Sequence, residues 1–156
     1  MLAIFGGENM EDQEIQAIKI KKRILKRYRI NRSCIERLED KLYLLEQRLQ
    51  SVKSPGFSDM PRGNGSPITT EELILDKLDL EKRIKRLKNK SVKIRDQLLE
   101  AIDSLEDPRY CEVLESYFIE CKTIEDIALD MGYNDRYIYD LYRKAIIEIN
   151  LGTAAE

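Results

Sequence analysis

Arg136, Tyr137 and Tyr139, bracketed by Asp135 and Asp140, are the side chains whose type and spacing could do chemistry on a partner. That chemistry is recognition. A guanidinium fork matches the two acceptors of a guanine edge, and a carboxylate can accept from a cytosine amino group. A tyrosine can meet a thymine methyl or a phosphate. Lys122, Arg143 and Lys144 are cations suited to the phosphate backbone, which positions a protein without reading sequence. Catalysis has no comparable foothold. The chain has no histidine, and Cys34, Cys111 and Cys121 stand far apart without zinc spacing or a neighbouring base. Gly63-Asn64-Gly65 follows no strand, so it is turn chemistry and not a nucleotide fingerprint. The scattered carboxylates read as solvated helix surface. No enzymatic activity, metal or cofactor is expected.

The recognition residues need a helix to carry them, and the flanking sequence supplies one. Thr123 can cap a first short helix, with Asp126 returning the bond as in a capping box. Ile124, Ile127 and Ala128 recur on one face of it. Gly132 sits where a left-handed stop is needed. Asn134 can cap the next helix, which suits it better than base reading, and Ile138, Leu141 and Ala145 form the inner face of that helix. Small Ala128 fits a steep helix crossing. The pattern is that of a helix-turn-helix, whose second helix enters a major groove. An ordinary helical hairpin packed into a core would follow the same pattern. Upstream, Asp107-Pro108 starts another helix. Its apolar face, Tyr110, Val113, Leu114, Tyr117 and Phe118, would complete a three-helix unit. The last helix runs from Asp135 through Ile149 and ends near Gly152.

The preceding chain reads as two long helices. From Glu11 to Val52 neither proline nor glycine interrupts a register of Ala17, Ile24, Tyr28, Ile35, Leu38, Leu42, Leu45 and Leu49. Lys21 and Asn31 occupy two seam positions. From Thr70 to Leu105 the register is Leu73, Leu80, Ile84, Leu87, Ile94, Leu98, Ala101 and Leu105, interrupted at Lys77 and Ser91. Thr69 and Glu72 form a capping-box signature before it. The segment between is rich in proline and glycine, and Phe57 and Met60 could anchor it. Two such helices should fold back as an antiparallel coiled-coil hairpin. The expected fold is thus all-α: a long hairpin over 11–106 with a loop at 54–69, then a helix-turn-helix domain over 107–152. Residues 1–10 stand apart. Gly6-Gly7-Glu8 before Met10 is what a purine-rich ribosome-binding site yields when read as codons. Met10 is therefore the expected start, with a short flexible N-terminus as the alternative.

Charge is strongly segregated behind a net of −2. Residues 19–32 and 82–95 each carry eight basic and no acidic side chains, whereas 107–156 carry five basic and eleven acidic. Paired in a hairpin, the basic stretches would make a belt of Lys19, Lys22, Arg23, Lys26, Arg27 and Arg29 beside Lys82, Arg83, Lys85, Arg86, Lys90, Lys93 and Arg95. Solvation of a long helix is the bland explanation, but such faces usually mix both signs, as residues 33–53 do with four of each. Phosphate is the natural ligand of the belt. An acidic protein surface, including the C-terminal domain of this chain or another copy, is the competitor. No apolar run is long enough to span a membrane.

A resemblance sharpens these expectations. Residues 104–148, with their Thr123-Ile124-Glu125-Asp126-Ile127-Ala128 helix and glycine turn, resemble the fourth region of bacterial primary sigma factors. Over roughly residues 12–150 the chain resembles the ArpU-like and RinA-like phage regulators of Gram-positive bacteria, whose hallmark loop is similar to Ser51–Gly63. The resemblance implies a phage or prophage transcriptional regulator in the host cytoplasm, an activator of late or packaging genes. It implies double-stranded DNA as partner, with RNA polymerase and a second copy as further candidates. It places Asp135, Arg136, Tyr137, Tyr139 and Asp140 toward the groove. Sigma-type reading helices are rich in arginine, and two aspartates depart from that. The competing expectation is an interaction module that binds polymerase or a repressor without reading DNA. A purely structural coiled coil is disfavoured by the ordered caps.

Overall fold

Helix starts and stops carry their own hydrogen bonds. Thr69 N donates to Glu72 Oε2 at 3.0 Å and Glu72 N donates to Thr69 Oγ1 at 3.2 Å, a complete capping box. Asp107 Oδ1 accepts from Arg109 N at 2.9 Å, with Pro108 in the first turn, where its missing N–H costs nothing. The computed structural model describes residues 5–53 and 68–152, with backbone alone at 5–10 and Lys53. Among these the regular structure is entirely helical: α1 Phe5–Lys53, α2 Thr70–Asp103, α3 Pro108–Leu114, α4 Ile124–Met131 and α5 Asp135–Glu148. The backbone of Gly6 and Gly7 is helical, so α1 begins before the expected Glu11. Most of the proline-rich segment, with Phe57 and Met60, lies outside the described residues.

Contacts divide the chain into two units. Residues up to Ile30 join those from Ser91 onward, and Asn31–Lys90 form the other unit. Both long helices contribute to both units.

The first unit has a dense core. Ile24 and Leu25 of α1 and Leu98 and Ile102 of α2 pack with Val113, Leu114, Phe118, Ile127, Ala128, Ile138, Ala145 and Ile146. This core crosses the expected 106/107 boundary: the C-terminal helices are completed by parts of α1 and α2. Leu25 and Ile102 are fully buried although neither belongs to the seven-residue register, while Ala17, which does, is exposed. A helix with neighbours on several sides needs an apolar stripe wider than a two-helix seam. Lys21, a polar intruder in the register, has a role here. Its ammonium donates to Ile147 O at 2.7 Å, at the C-terminal end of α5, where orphan carbonyls and the helix dipole favour a cation. Cys111 Sγ similarly donates to Ile102 O at 3.2 Å, near the end of α2.

Between α3 and α4 the backbone widens into one π-helical turn, Glu115–Ile119, closed by Glu120 N donating to Glu115 O at 3.0 Å. Cys121 then takes φ +61° and Lys122 N reaches Ser116 O at 3.0 Å. A non-glycine residue in the left-handed region carries strain of about 1 kcal/mol or more. The turn keeps Phe118 fully buried with Tyr117 packed edge-on at 4.9 Å.

The second unit is a pairing of two helix segments. Ile35 and Leu38 pack with Ile84, and Leu45 and Leu49 pack with Leu73. Numbers fall along α2 as they rise along α1, so the segments are antiparallel. Asn31, the second polar seam residue, donates from Nδ2 to Leu87 O at 3.0 Å. Lys77 reaches Glu46 at 3.4 Å and Glu81 at 3.7 Å, and Lys88 pairs with Glu39.

Candidate nucleic-acid interface

The α4–α5 corner is built by its caps. Thr123 Oγ1 accepts from Asp126 N at 3.2 Å and donates to Asp126 Oδ2 at 2.9 Å. The second bond differs from the glutamate version of a capping box. Asp126 is one methylene shorter, and it takes the hydroxyl instead of the backbone N–H of Thr123. Gly132 ends α4 at φ +71°, with Tyr133 N donating to Ala128 O at 3.0 Å. Asn134 Oδ1 accepts from Tyr137 N at 2.8 Å, which commits that side chain to capping. Ala128 and Ala145, both buried, permit the close approach of α4 and α5 to the core.

This geometry turns Arg136, Tyr139, Asp140 and Arg143 outward along α5. They line one shallow, open depression together with Asn134 and Tyr137. Asp135 and Lys144 are exposed nearby, and Lys144 pairs with Asp140 at 3.2 Å. Tyr137 is less available than its neighbours. It is half-buried, its ring lies 4.7 Å from that of Tyr133, and its hydroxyl accepts from Arg109 Nη1 at 2.8 Å. Arg109 is itself gripped by Asp107 at 2.8 Å. The Asp107 hydrogen bond pushes the Arg109 guanidinium up from its ordinary value, and the same bond holds the Asp107 carboxyl below its usual range. Lys122 lies apart from the α5 depression. It is bridged to Glu120 at 2.7 Å and Asp130 at 3.0 Å, and these carboxylates raise its pKa. It stays charged, but its field is largely offset.

The residues of the expected basic belt are divided between the two units. Lys19, Lys22, Arg23, Lys26, Arg27 and Arg29, with Lys93 and Arg95, belong to the first unit; Lys82, Arg83, Lys85, Arg86 and Lys90 belong to the second. Lys19 and Lys22 border a second depression with Tyr139 and Arg143. Tyr139 and Arg143 line both depressions, so the two surfaces are continuous. Lys22 Nζ lies 5.7 Å from the Tyr142 ring centre, and Arg29 lies 5.0 Å from that of Tyr117. Such cation–ring contacts hold Lys22 against α5 and Arg29 against the π turn. Tyr142 in turn stacks with Tyr139 at 6.1 Å, and burial pushes its hydroxyl up to about 12. The signal for this adjacency was the buried Leu25, one step outside the register.

The assembled surface has a cationic border of Lys19, Lys22 and Arg143, an exposed guanidinium at Arg136, and two aspartates between. It can meet a polyanion along its border and hydrogen-bond donors or acceptors at its centre. No family model matches this chain, and no curated protein or solved structure shows significant similarity to it. No helix among the described residues is long and apolar enough to cross a membrane.

Proposed function

We propose that this chain is a phage- or prophage-encoded transcriptional regulator that reads double-stranded DNA with α5 and activates late or packaging genes. In this reading the α1–α2 pair is an antiparallel coiled-coil hairpin and α3–α5 a sigma-region-four-like helix-turn-helix. Arg136 and Tyr139 reach base edges, with Asp135 and Asp140 accepting from exocyclic amino groups. Arg143 meets the backbone, joined by Lys19 and Lys22 from α1. The observation that carries the reading is the continuity of the α5 face with those α1 cations. It answers the difficulty that residues 107–156, taken alone, are too acidic to approach DNA. Lys122 and Lys144 have minor parts, since carboxylates already engage them.

The test is salt-dependent binding of the full chain to labelled duplex DNA. Each phosphate contact contributes about 0.9 to the slope of log affinity against log salt. Lys19→Ala/Lys22→Ala is expected to flatten that slope by nearly two such steps. Absence of binding by the wild type at low salt overturns the proposal. A second reading, an interaction module that binds RNA polymerase or a repressor, draws support from Leu129, an α4 leucine left 81% exposed. Capture of a protein partner that is lost in Leu129→Ser, without DNA binding, would favour it.

A further inference from the structure

The second unit holds a groove between α1 and α2 with no function in the reading above. Leu45 and Leu80 floor it, exposed Leu44 stands at its edge, and Lys41, Arg48, Arg83, Asp76 and Asp79 rim it. None of these five charged side chains takes part in an ion pair among the described residues. On the same two segments Lys77–Glu46, Lys77–Glu81 and Lys88–Glu39 pair within the chain. The groove therefore offers both signs, unpaired among the described residues, around an apolar floor.

Two helix segments form a thin fold. Each buries only one seam against the other, and stable helical architectures place further helices on the remaining faces. A partner of a single charge would satisfy only part of this rim. A second copy of the same groove, turned by a twofold axis, offers each sign its opposite, two carboxylates against three cations on each side. In such an isologous contact a residue meets its complement twice. We infer that this groove is a self-association surface, in which two copies of the second unit pack as a four-helix bundle. Asp76 and Asp79 of each copy face Lys41, Arg48 and Arg83 of the other, and the Leu44 side chains close the apolar centre. The inference stands whether or not α5 reads DNA.

Sedimentation equilibrium of the full chain tests it with two charge-reversed variants. Asp76→Lys/Asp79→Lys makes the rim wholly basic, and Lys41→Glu/Arg48→Glu/Arg83→Glu makes it wholly acidic. The wild type is expected to dimerise, and each variant alone to dissociate at least tenfold more readily, since like charges then oppose each other. Their mixture is expected to restore dimers, because each rim meets its complement. This recovery also excludes misfolding as the cause of dissociation. A wild type monomeric at all concentrations overturns the inference. So does a dimer that both reversals leave intact, or a mixture that stays monomeric.

Discussion

The two units are made from the same two long helices, yet they are built differently. In the first, Leu25, Ile102, Val113, Leu114, Phe118, Ile138 and Ile146 are sealed to 1% exposure or less. In the second, Ile35, Leu45, Leu49, Leu73 and Ile84 retain 6–9%, and Leu38 alone reaches 2%. The helical sequence is similar in both; the number of neighbours is not. Three short helices close over the first unit and convert a seam into a core. The consequence for function is that the basic stretch of α1 belongs to the unit that holds α5.

Core truncations probe this difference most strongly. Phe118→Ala is expected to cost about 3–5 kcal/mol and Leu25→Ala about 2–5 kcal/mol, because sealed surroundings relax little around a cavity. Leu49→Ala, in a seam that can collapse and admit water, is expected near the lower end, about 2 kcal/mol. Urea unfolding followed by circular dichroism measures all three. A Leu49→Ala cost above that of Leu25→Ala would break the distinction between core and seam.

Alkaline pH acts on the first unit through Tyr142. Its folded-state pKa is raised by burial to about 12 from an ordinary 10. The folded state then holds a proton that the unfolded chain releases. That contribution is complete below pH 10 and is lost as pH rises toward 12. It corresponds to at most about 2.7 kcal/mol, and solvent screening of the partly exposed hydroxyl reduces this. Tyr142→Phe should remove this part of the alkaline decline in unfolding midpoint, whereas an unchanged profile would mean that Tyr142 titrates normally.

The α4–α5 corner sharpens the comparison at smaller cost. Gly132→Ala should lose about 1 kcal/mol through its φ of +71° alone, since an added Cβ meets nothing within 4 Å. Asn134→Ala should lose about 1 kcal/mol through the missing cap. Thr69→Ala, a cap in the second unit, should lose a similar or smaller amount by the same urea unfolding. A much larger loss at Gly132 would mean that the turn governs more than its own backbone.

What the sequence disclosed follows from range. Thr69–Glu72, Asp107, Thr123, Gly132 and Asn134 were readable because each bond spans a few residues and depends on residue type. The Ile35, Leu38, Leu45 and Leu49 seam was readable because its period is local. Lys21 looked like a flaw because its acceptor, Ile147 O, lies 126 positions away. Leu25 and Ile102 escaped because a seven-residue register assumes one neighbour per helix. The π turn and the left-handed Cys121 have no residue signature, since glycine would ordinarily mark such a φ. The outward positions of Arg136, Tyr139, Asp140 and Arg143 were legible, and the cationic border that Lys19 and Lys22 add to them was not. That border depends on which part of α1 packs beside α5.

The most direct test of the central claim is sequencing of DNA co-precipitated with the tagged full chain from its host, wild type beside Arg136→Ala. If α5 reads DNA through Arg136, the wild type gives a few sharp peaks at promoters that disappear in Arg136→Ala while protein level and helix content stay unchanged. No peaks in the wild type, or peaks unaltered by the substitution, would contradict direct reading through Arg136 on α5.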